Sequence, residues 1–239
     1  MPKTIAVFGA GPGLGRSVAR RFGREGYQVA LVARTQPRLD ALVTELHEEG
    51  IEAAGFAADL AGRQALPGLI GKITARFGGL DVVEYAPSGL TWLDLQTDVL
   101  DADVGSFEYP LDLLLRSPVA LARQILPAMI GRGDGGLLFG LAVTASVPYP
   151  QMANVGTAAA AARAYFHNLH IALAPSGVYV GLLQVAGMVA GSEAARHFAH
   201  TRDPSRLPEP LDPERLAGAC WNLYRERDRF EEIVGSAGR

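Results

Sequence analysis

The chain has 239 residues, 49% of them apolar and 20% charged, a composition that buries a large core beneath a soluble surface and excludes a disordered chain. With 22 Lys and Arg against 25 Asp and Glu the net charge is −3; no run of like charge tracks a phosphate backbone, so nucleic acid is excluded as the expected partner. The single cysteine, Cys220, rules out an internal disulfide, fits a reducing cytosol and is read as a packing residue.

The chain opens on Lys3 and the apolar Ile5, Ala6, Val7 and Phe8. Gly9, Gly11, Gly13 and Gly15 break that run at once, which is wrong for the core of an export signal and right for a strand entering a phosphate loop. Aliphatic and β-branched segments then alternate with amphipathic ones, the rhythm of a parallel sheet covered on both faces. Strands are expected near 4–9, 28–33, 52–58, 80–86, 136–142 and 178–185, and helices near 13–25, 36–49, 63–77, 106–131 and 152–174. Right-handed crossovers turn this pattern into a doubly wound α/β sandwich, one domain over 1–239. Residues 87–105 and 188–210 interrupt it at the strand ends where such sheets bind ligands. The second stretch, with Pro204, Pro208 and Pro210, reads as a mobile flap over a substrate pocket, the alternative being a plain surface loop. Asp212, Pro213 and Glu214 start a last helix, expected to run to Arg229. The apolar stretch from Val178 to Ala190 carries Gln184 and is too short to cross a bilayer, so a soluble, cytoplasmic protein without a membrane partner is expected.

The first strand runs directly into Gly9-Ala10-Gly11-Pro12-Gly13-Leu14-Gly15 and then into a helical segment. Gly9 can turn sharply, Gly13 lets backbone approach a pyrophosphate, and Gly15 lets the helix sit close to the sheet. Free amides at that helix start, on the positive end of its dipole, would hold the anion. The second strand ends at Ala33-Arg34, where an NAD site usually carries a carboxylate for the ribose hydroxyls. Arg34 offers a cationic fork for a 2′-phosphate and Thr35 a hydroxyl donor, so NADP(H) is the expected cofactor.

The spacing of Gly9, Gly13 and Gly15 resembles that of the short-chain dehydrogenase/reductase family, a single-domain Rossmann fold. Asp59-Leu60 is similar to the family's pair after the third strand, which implies that Asp59 bonds the adenine amino group. Leu80-Asp81-Val82-Val83 resembles its fourth strand, and Tyr85-Ala86-Pro87-Ser88 stands where the family has Asn-Asn-Ala-Gly. Leu126-Pro127-Ala128-Met129 and Leu173-Ala174-Pro175-Ser176-Gly177-Val178 match the ends of its fifth and sixth helices. Ala186-Gly187-Met188-Val189 is similar to Pro-Gly-x-Val after its last long strand. The resemblance implies that Leu60, Ala86 and Gly187 also line the cofactor site, beside Gly11, Pro12 and Leu14.

Family reductases pass hydride from the nicotinamide to a carbonyl while a tyrosine, tuned by a lysine four residues on, donates the proton; a serine bonds the carbonyl and an asparagine supports a water relay. Counting back from Leu173-Ala174-Pro175 puts the tyrosine position at Val155 and the lysine position at Ala159. The serine position falls on Ala142, with Thr144 or Ser146 in competition if the register slips, and the asparagine position on Leu114. All four positions are apolar. Neither Tyr149 nor Tyr165 is followed four residues later by lysine, and no lysine follows Lys72. Substitute donors are Tyr149 and Tyr85, with Ser88 as an oxygen anchor. His167 with His170, and His197 with His200, have helix-face spacing but no third ligand, so no metal is expected.

Three readings follow. The preferred one is an atypical NADPH-dependent oxidoreductase acting on a small carbonyl, imine or activated alkene without the usual acid. The second is a catalytically silent cofactor-binding protein, a sensor or partner subunit, and the third a non-redox enzyme on the same scaffold. The long helices, with small faces around Ala158 to Ala162, resemble those through which family members assemble, which implies a homodimer or homotetramer unless the alanines pack within the chain.

Overall fold

The computed structural model describes residues 2–87, 95–201 and 209–236. Strands β1 (Thr4–Phe8), β2 (Gln28–Ala33), β3 (Ala53–Ala57), β4 (Val82–Tyr85), β5 (Gly135–Ala142), β6 (Val178–Ala186) and β7 (Glu231–Gly235) form one sheet. Its order is β3-β2-β1-β4-β5-β6-β7, and every pairing is parallel. Parallel strands need helical crossovers, which cover both faces and bury strands such as β1 completely. Chain order reverses between β1 and β4, so the crevice at the carboxyl ends of these two strands is the switch point where a doubly wound sheet receives its ligand.

One face carries helices α1 (Leu14–Arg24) and α2 (Gln36–Glu48) and, later in the chain, α7 (Pro213–Glu226). Val18, Phe22, Leu39, Leu46, Leu216 and Leu223 pack there against Ile5, Val7 and Leu31. The other face carries α3 (Leu66–Phe77), α4 and α5 (Ala153–Leu173). Helix α4 is a continuous run of Glu108–Leu111, a π turn over Asp112–Arg116, and Ser117–Arg132. By length and composition this run could cross a membrane; its Leu113, Leu114, Leu121, Ile125 and Met129 are spent in the core. On α5, Ala158, Ala159 and Ala162 are buried within the chain, which brings the helix close enough for Phe166 to stack on Phe139 of β5 at 3.5 Å between centroids. Each such buried side chain contributes about 1.5–3 kcal/mol through the apolar area it removes from water.

The structure corrects one sequence expectation and adds two elements. The last helix stops at Glu226, not Arg229, because Arg227 takes a left-handed conformation (φ 52°). The residues after it form β7, an edge strand whose Glu231 and Glu232 hide its apolar alternation. Within the expected flap lies a helix, α6 (Glu193–Thr201), capped by Ser192, whose hydroxyl accepts from the Ala195 amide at 3.0 Å. The prolines that suggested a loop come after it.

One buried side chain contradicts the apolar pattern. Glu84 on β4 pairs with Val7 and Leu138 in the sheet and lies inside the core with neither carboxyl oxygen hydrogen-bonded among the described residues. Burial pushes its pKa up to about 8.

Candidate cofactor and substrate site

The turn after β1 is fixed by two amides, Gly9 and Ala10, which both donate to the Val32 carbonyl of β2 at 2.9 and 3.0 Å. Gly9 has φ 102°, and a methyl group there would lie 2.7 Å from the Pro87 Cα; at Gly15 it would lie 2.9 Å from the Ala10 Cα. Both glycines are therefore demanded by backbone packing. The Gly11 carbonyl accepts from Arg16 at 2.9 Å and Gly13 caps α1. The first amides of α1, at Leu14 and Gly15, point beyond the helix with no intrahelical acceptor, on its positive end. Pro12 and Leu14 are half-buried in this turn.

Gly13 is buried because the chain leaving β6 crosses over it: a methyl at Gly13 would meet Ser192 Cβ at 3.3 Å and Val189 Cγ1 at 3.4 Å. This roof is rooted by a bridge between Val189 and Leu211, in which Leu211 donates to Met188 O at 2.6 Å and Ala190 to Leu211 O at 2.9 Å. Gly187 stands exposed at its base. An ion pair between Glu193 of α6 and Arg38 of α2 ties the roof to the opposite bank. Arg38, Glu193, Arg196, His197 and His200 line an open depression of about 350 Å³ there.

At the other end of the crevice, Arg34 and Thr35 are exposed past β2, and Thr35 starts α2 with its hydroxyl making no cap bond. Asp59 is exposed past β3, one oxygen accepting from the Ala61 amide at 3.1 Å, while Leu60 is buried beneath it. Tyr109 of α4, absent from the sequence reading, sits among these groups. Burial raises its pKa, with Arg34 lowering it and Asp59 raising it.

Toward β5 the crevice becomes apolar. Leu114 is buried in the π turn, Val155 and Ala159 are buried on α5, and Ala142, the last residue of β5, is exposed. The end of β5 borders the glycine turn: a methyl at Gly140 would reach Ala86 Cβ at 2.6 Å and Leu14 Cδ2 at 3.6 Å. Tyr85 lies between Phe8 and Phe139, and its hydroxyl donates to the Leu113 carbonyl at 2.6 Å. Burial holds that phenol well above its ordinary pKa, so Tyr85 is a packing residue with its proton committed. Tyr149 is half-buried between Pro148 and Pro150, and Ser88 lies outside the described residues. Thr144 is buried against Gly156 with its hydroxyl unbonded among the described residues. One histidine of each helix-face pair bonds backbone: His170 Nδ1 meets Val180 O at 2.7 Å and His200 Nδ1 meets Arg196 O at 2.6 Å. Among the described residues no group of three or more His, Cys, Asp or Glu could hold a metal.

Two polar features escaped the sequence reading. Asn154 is wholly buried at the start of α5 and bonds on every side. Its Oδ1 accepts from the Thr97 and Val155 amides at 3.0 and 2.9 Å, and its Nδ2 donates to Leu95 O and Ser106 O at 2.7 and 2.9 Å. Together with the Val99 N to Pro150 O and Ala153 N to Thr97 O bonds, it staples residues 95–106 beside Val155. The second feature is a polar chain beneath the crevice. Ser146 Oγ donates to Gln184 Oε1 at 2.7 Å, Gln184 Nε2 donates to Glu231 at 3.0 Å, and Arg163 grips Glu231 through two bonds at 2.7 and 2.6 Å. Its signal was Gln184 itself: a lone amide in an apolar buried strand must find partners.

Comparison with known proteins agrees with the fold. The family model of short chain dehydrogenases matches residues 3–202. A short chain dehydrogenase from Pseudocercospora fijiensis is 30% identical over 184 residues, 77% of this chain and 58% of that protein, so the chain spans less than two thirds of that relative. An actinorhodin polyketide ketoreductase solved with NADPH superposes with a TM-score of 0.85 at 21% identity, covering 98% of this chain and 95% of that one. A short chain oxidoreductase from Pseudomonas aeruginosa described as containing an atypical catalytic center also superposes with a TM-score of 0.85, at 18% identity over 99% of this chain and 96% of its own. From the glycine turn, the sheet order and the family match together, the chain is a member of the short chain dehydrogenase family.

Proposed function

We propose that this chain binds NADP(H) and acts as an atypical oxidoreductase, passing hydride from NADPH to a small organic substrate without a tyrosine acid. The carrying observation is the contrast within one crevice: an intact glycine turn beside an apolar wall at Leu114, Ala142, Val155 and Ala159. The residues present fit the cofactor. Gly11 and Pro12 keep part of the turn's backbone accessible where a pyrophosphate would approach, Arg34 and Thr35 suit a 2′-phosphate, Asp59 above Leu60 suits the adenine, and Ala86 and Gly187 flank the middle of the crevice. The NADPH complex of the ketoreductase of the same fold supports this reading.

When bound, NADPH supplies hydride. The chain's own contribution is to exclude water with apolar side chains and to position the reacting carbon beside the end of β5. Tyr85 does not answer for the proton, since its hydroxyl is committed to Leu113. The reading therefore favours substrates that need none from the protein: an iminium carbon that receives hydride returns its C=N electrons to nitrogen as a lone pair and leaves a neutral amine. Activated alkenes and carbonyls, whose new anion takes its proton from water, are the slower classes. A homo-oligomer through α4 and α5, whose Ile130 and Ile171 are 46% and 64% exposed, is part of the same proposal.

The test is NADPH consumption across imine, enone and ketone panels. Imine turnover exceeding ketone turnover supports the proposal, whereas micromolar NADPH binding with no consumption on any panel replaces it with a silent cofactor-binding protein. Arg34→Ala should weaken NADPH by roughly 10–100-fold, the worth of a charge-assisted phosphate contact, and NADH by less than about threefold. Equal losses would remove the NADP assignment.

A further inference from the structure

The polar chain ending at Ser146 has a direction, and the direction specifies a ligand. Its root is the Arg163–Glu231 pair, a two-bond grip that keeps Glu231 an ionised, acceptor-only carboxylate; the Arg163 bond holds its pKa below the ordinary range. Gln184, fully buried, must therefore turn its NH2 toward Glu231 and its carbonyl toward Ser146. With the amide so fixed, the Ser146 hydroxyl must give its one proton to Gln184 at 2.7 Å; its other hydrogen-bond neighbour among the described residues, the Val143 carbonyl at 3.4 Å, is also an acceptor. Ser146 is exposed, at the end of the turn Val143–Ala145, which follows β5 and packs on the first turn of α5, beside the apolar wall. What it presents to the crevice is lone pairs only.

We infer that Ser146 is a specificity-determining hydrogen-bond acceptor, oriented by Gln184 and Glu231, which selects substrates or products that bring an N–H or O–H donor, protonated cyclic imines and the corresponding amines first among them. A serine free to donate would favour a carbonyl; this one cannot without breaking the chain behind it. Gln184 and Glu231 are positioning residues, since they act through Ser146. The location of the acceptor in a substrate site rests on the reductase reading above, while its polarity rests on the hydrogen bonds alone.

The experiment titrates the full chain by calorimetry with pyrrolidinium chloride and with cyclopentanone, a donor and an acceptor of the same ring size, each with and without NADPH. The expected result is at least about tenfold tighter binding of pyrrolidinium, falling to under about threefold in Ser146→Ala. Glu231→Gln should also lower the ratio, because an amide at 231 can donate and lets Gln184 turn over; the same variant should keep a wild-type circular dichroism spectrum. Equal affinities in the wild type, no binding of either probe, or a preference that survives Ser146→Ala would overturn the inference. Failure of NADPH to bind while the amine preference persists would instead sink the reductase reading and leave the acceptor assignment standing.

Discussion

The glycine turn after β1 and the corner between β5 and α5 both lie at the carboxyl ends of the strands of one sheet, yet they depend on different parts of the polypeptide. The turn works through backbone: Gly9 and Gly15 lie against Pro87 and Ala10 with no room for a side chain, and the amides of α1 face outward as a consequence. The corner, in family members that use a tyrosine, works through side chains, and here Leu114, Val155 and Ala159 are simply part of the core. Side chains at the corner can thus vary within the limits of core packing alone. At the turn, a lost glycine would move the strands themselves.

This contrast can be broken most directly at Gly9. Gly9→Ala adds a methyl 2.7 Å from the Pro87 Cα at φ 102°, a left-handed conformation that costs an L-residue about 1–2 kcal/mol before any clash is counted. We expect NADPH affinity to fall by more than about a hundredfold, measured by calorimetry. Retained binding would mean that the cofactor is held elsewhere. At the corner the corresponding weak point is structural. Asn154→Ala strands the Thr97 and Val155 amides and the Leu95 and Ser106 carbonyls. It should cost about 4 kcal/mol, or roughly 8–16 °C in Tm for a chain of this size, measured by scanning calorimetry. A loss below about 1 kcal/mol would show that water replaces the staple.

How much of this was legible in the sequence follows the same division. Backbone demands leave glycines at fixed spacing behind a strand, so the turn, Arg34 and six of the strands could be read directly. Asn154 carried no such mark: its four partners come from residues 95–106 and from α5, and nothing local announces them. β7 was hidden because Glu231 and Glu232 occupy it for the sake of Arg163 and Arg229, and α6 because prolines downstream of it dominated the composition. The inertness of Tyr85 was equally illegible, since only the fold brings Leu113 to its hydroxyl.

Glu84 lies on the seam, between Val7 of the nucleotide half and Leu138 of the other. Its pKa rises from 4.5 to about 8 on folding because the carboxylate loses its water, with the Cys220 thiol of α7 close by. Between those values the unfolded chain has released the proton and the folded chain retains it, so the stability that Glu84 contributes is complete below about pH 4.5 and is lost as pH rises toward about 8, at about 1.4 kcal/mol per pH unit. Glu84→Leu, of similar volume, should remove that slope and raise stability at pH 8 by about 3–5 kcal/mol, seen as a Tm that no longer declines between pH 5 and 8 from this source. Unchanged pH dependence would show that the carboxylate already finds water in the folded protein.

The smallest expected effect is the sharpest test of the apolar corner. Tyr149 is a half-buried phenol at the entrance to α5, and among the described residues no hydroxyl bond fixes it there as Leu113 fixes Tyr85. A catalytic acid must lie within hydrogen-bond reach of the atom it protonates, and losing one costs about 10²–10⁴-fold in rate. With an inert corner, Tyr149→Phe leaves kcat/KM for a permanently charged iminium within about twofold at every pH, because hydride transfer to an iminium asks for no proton. A hundredfold loss confined to ketones would mean that Tyr149 donates when a substrate demands it. The corner would then be a displaced acid site, and the line between the two halves of the crevice would move from Val155 to the proline-flanked turn in front of it.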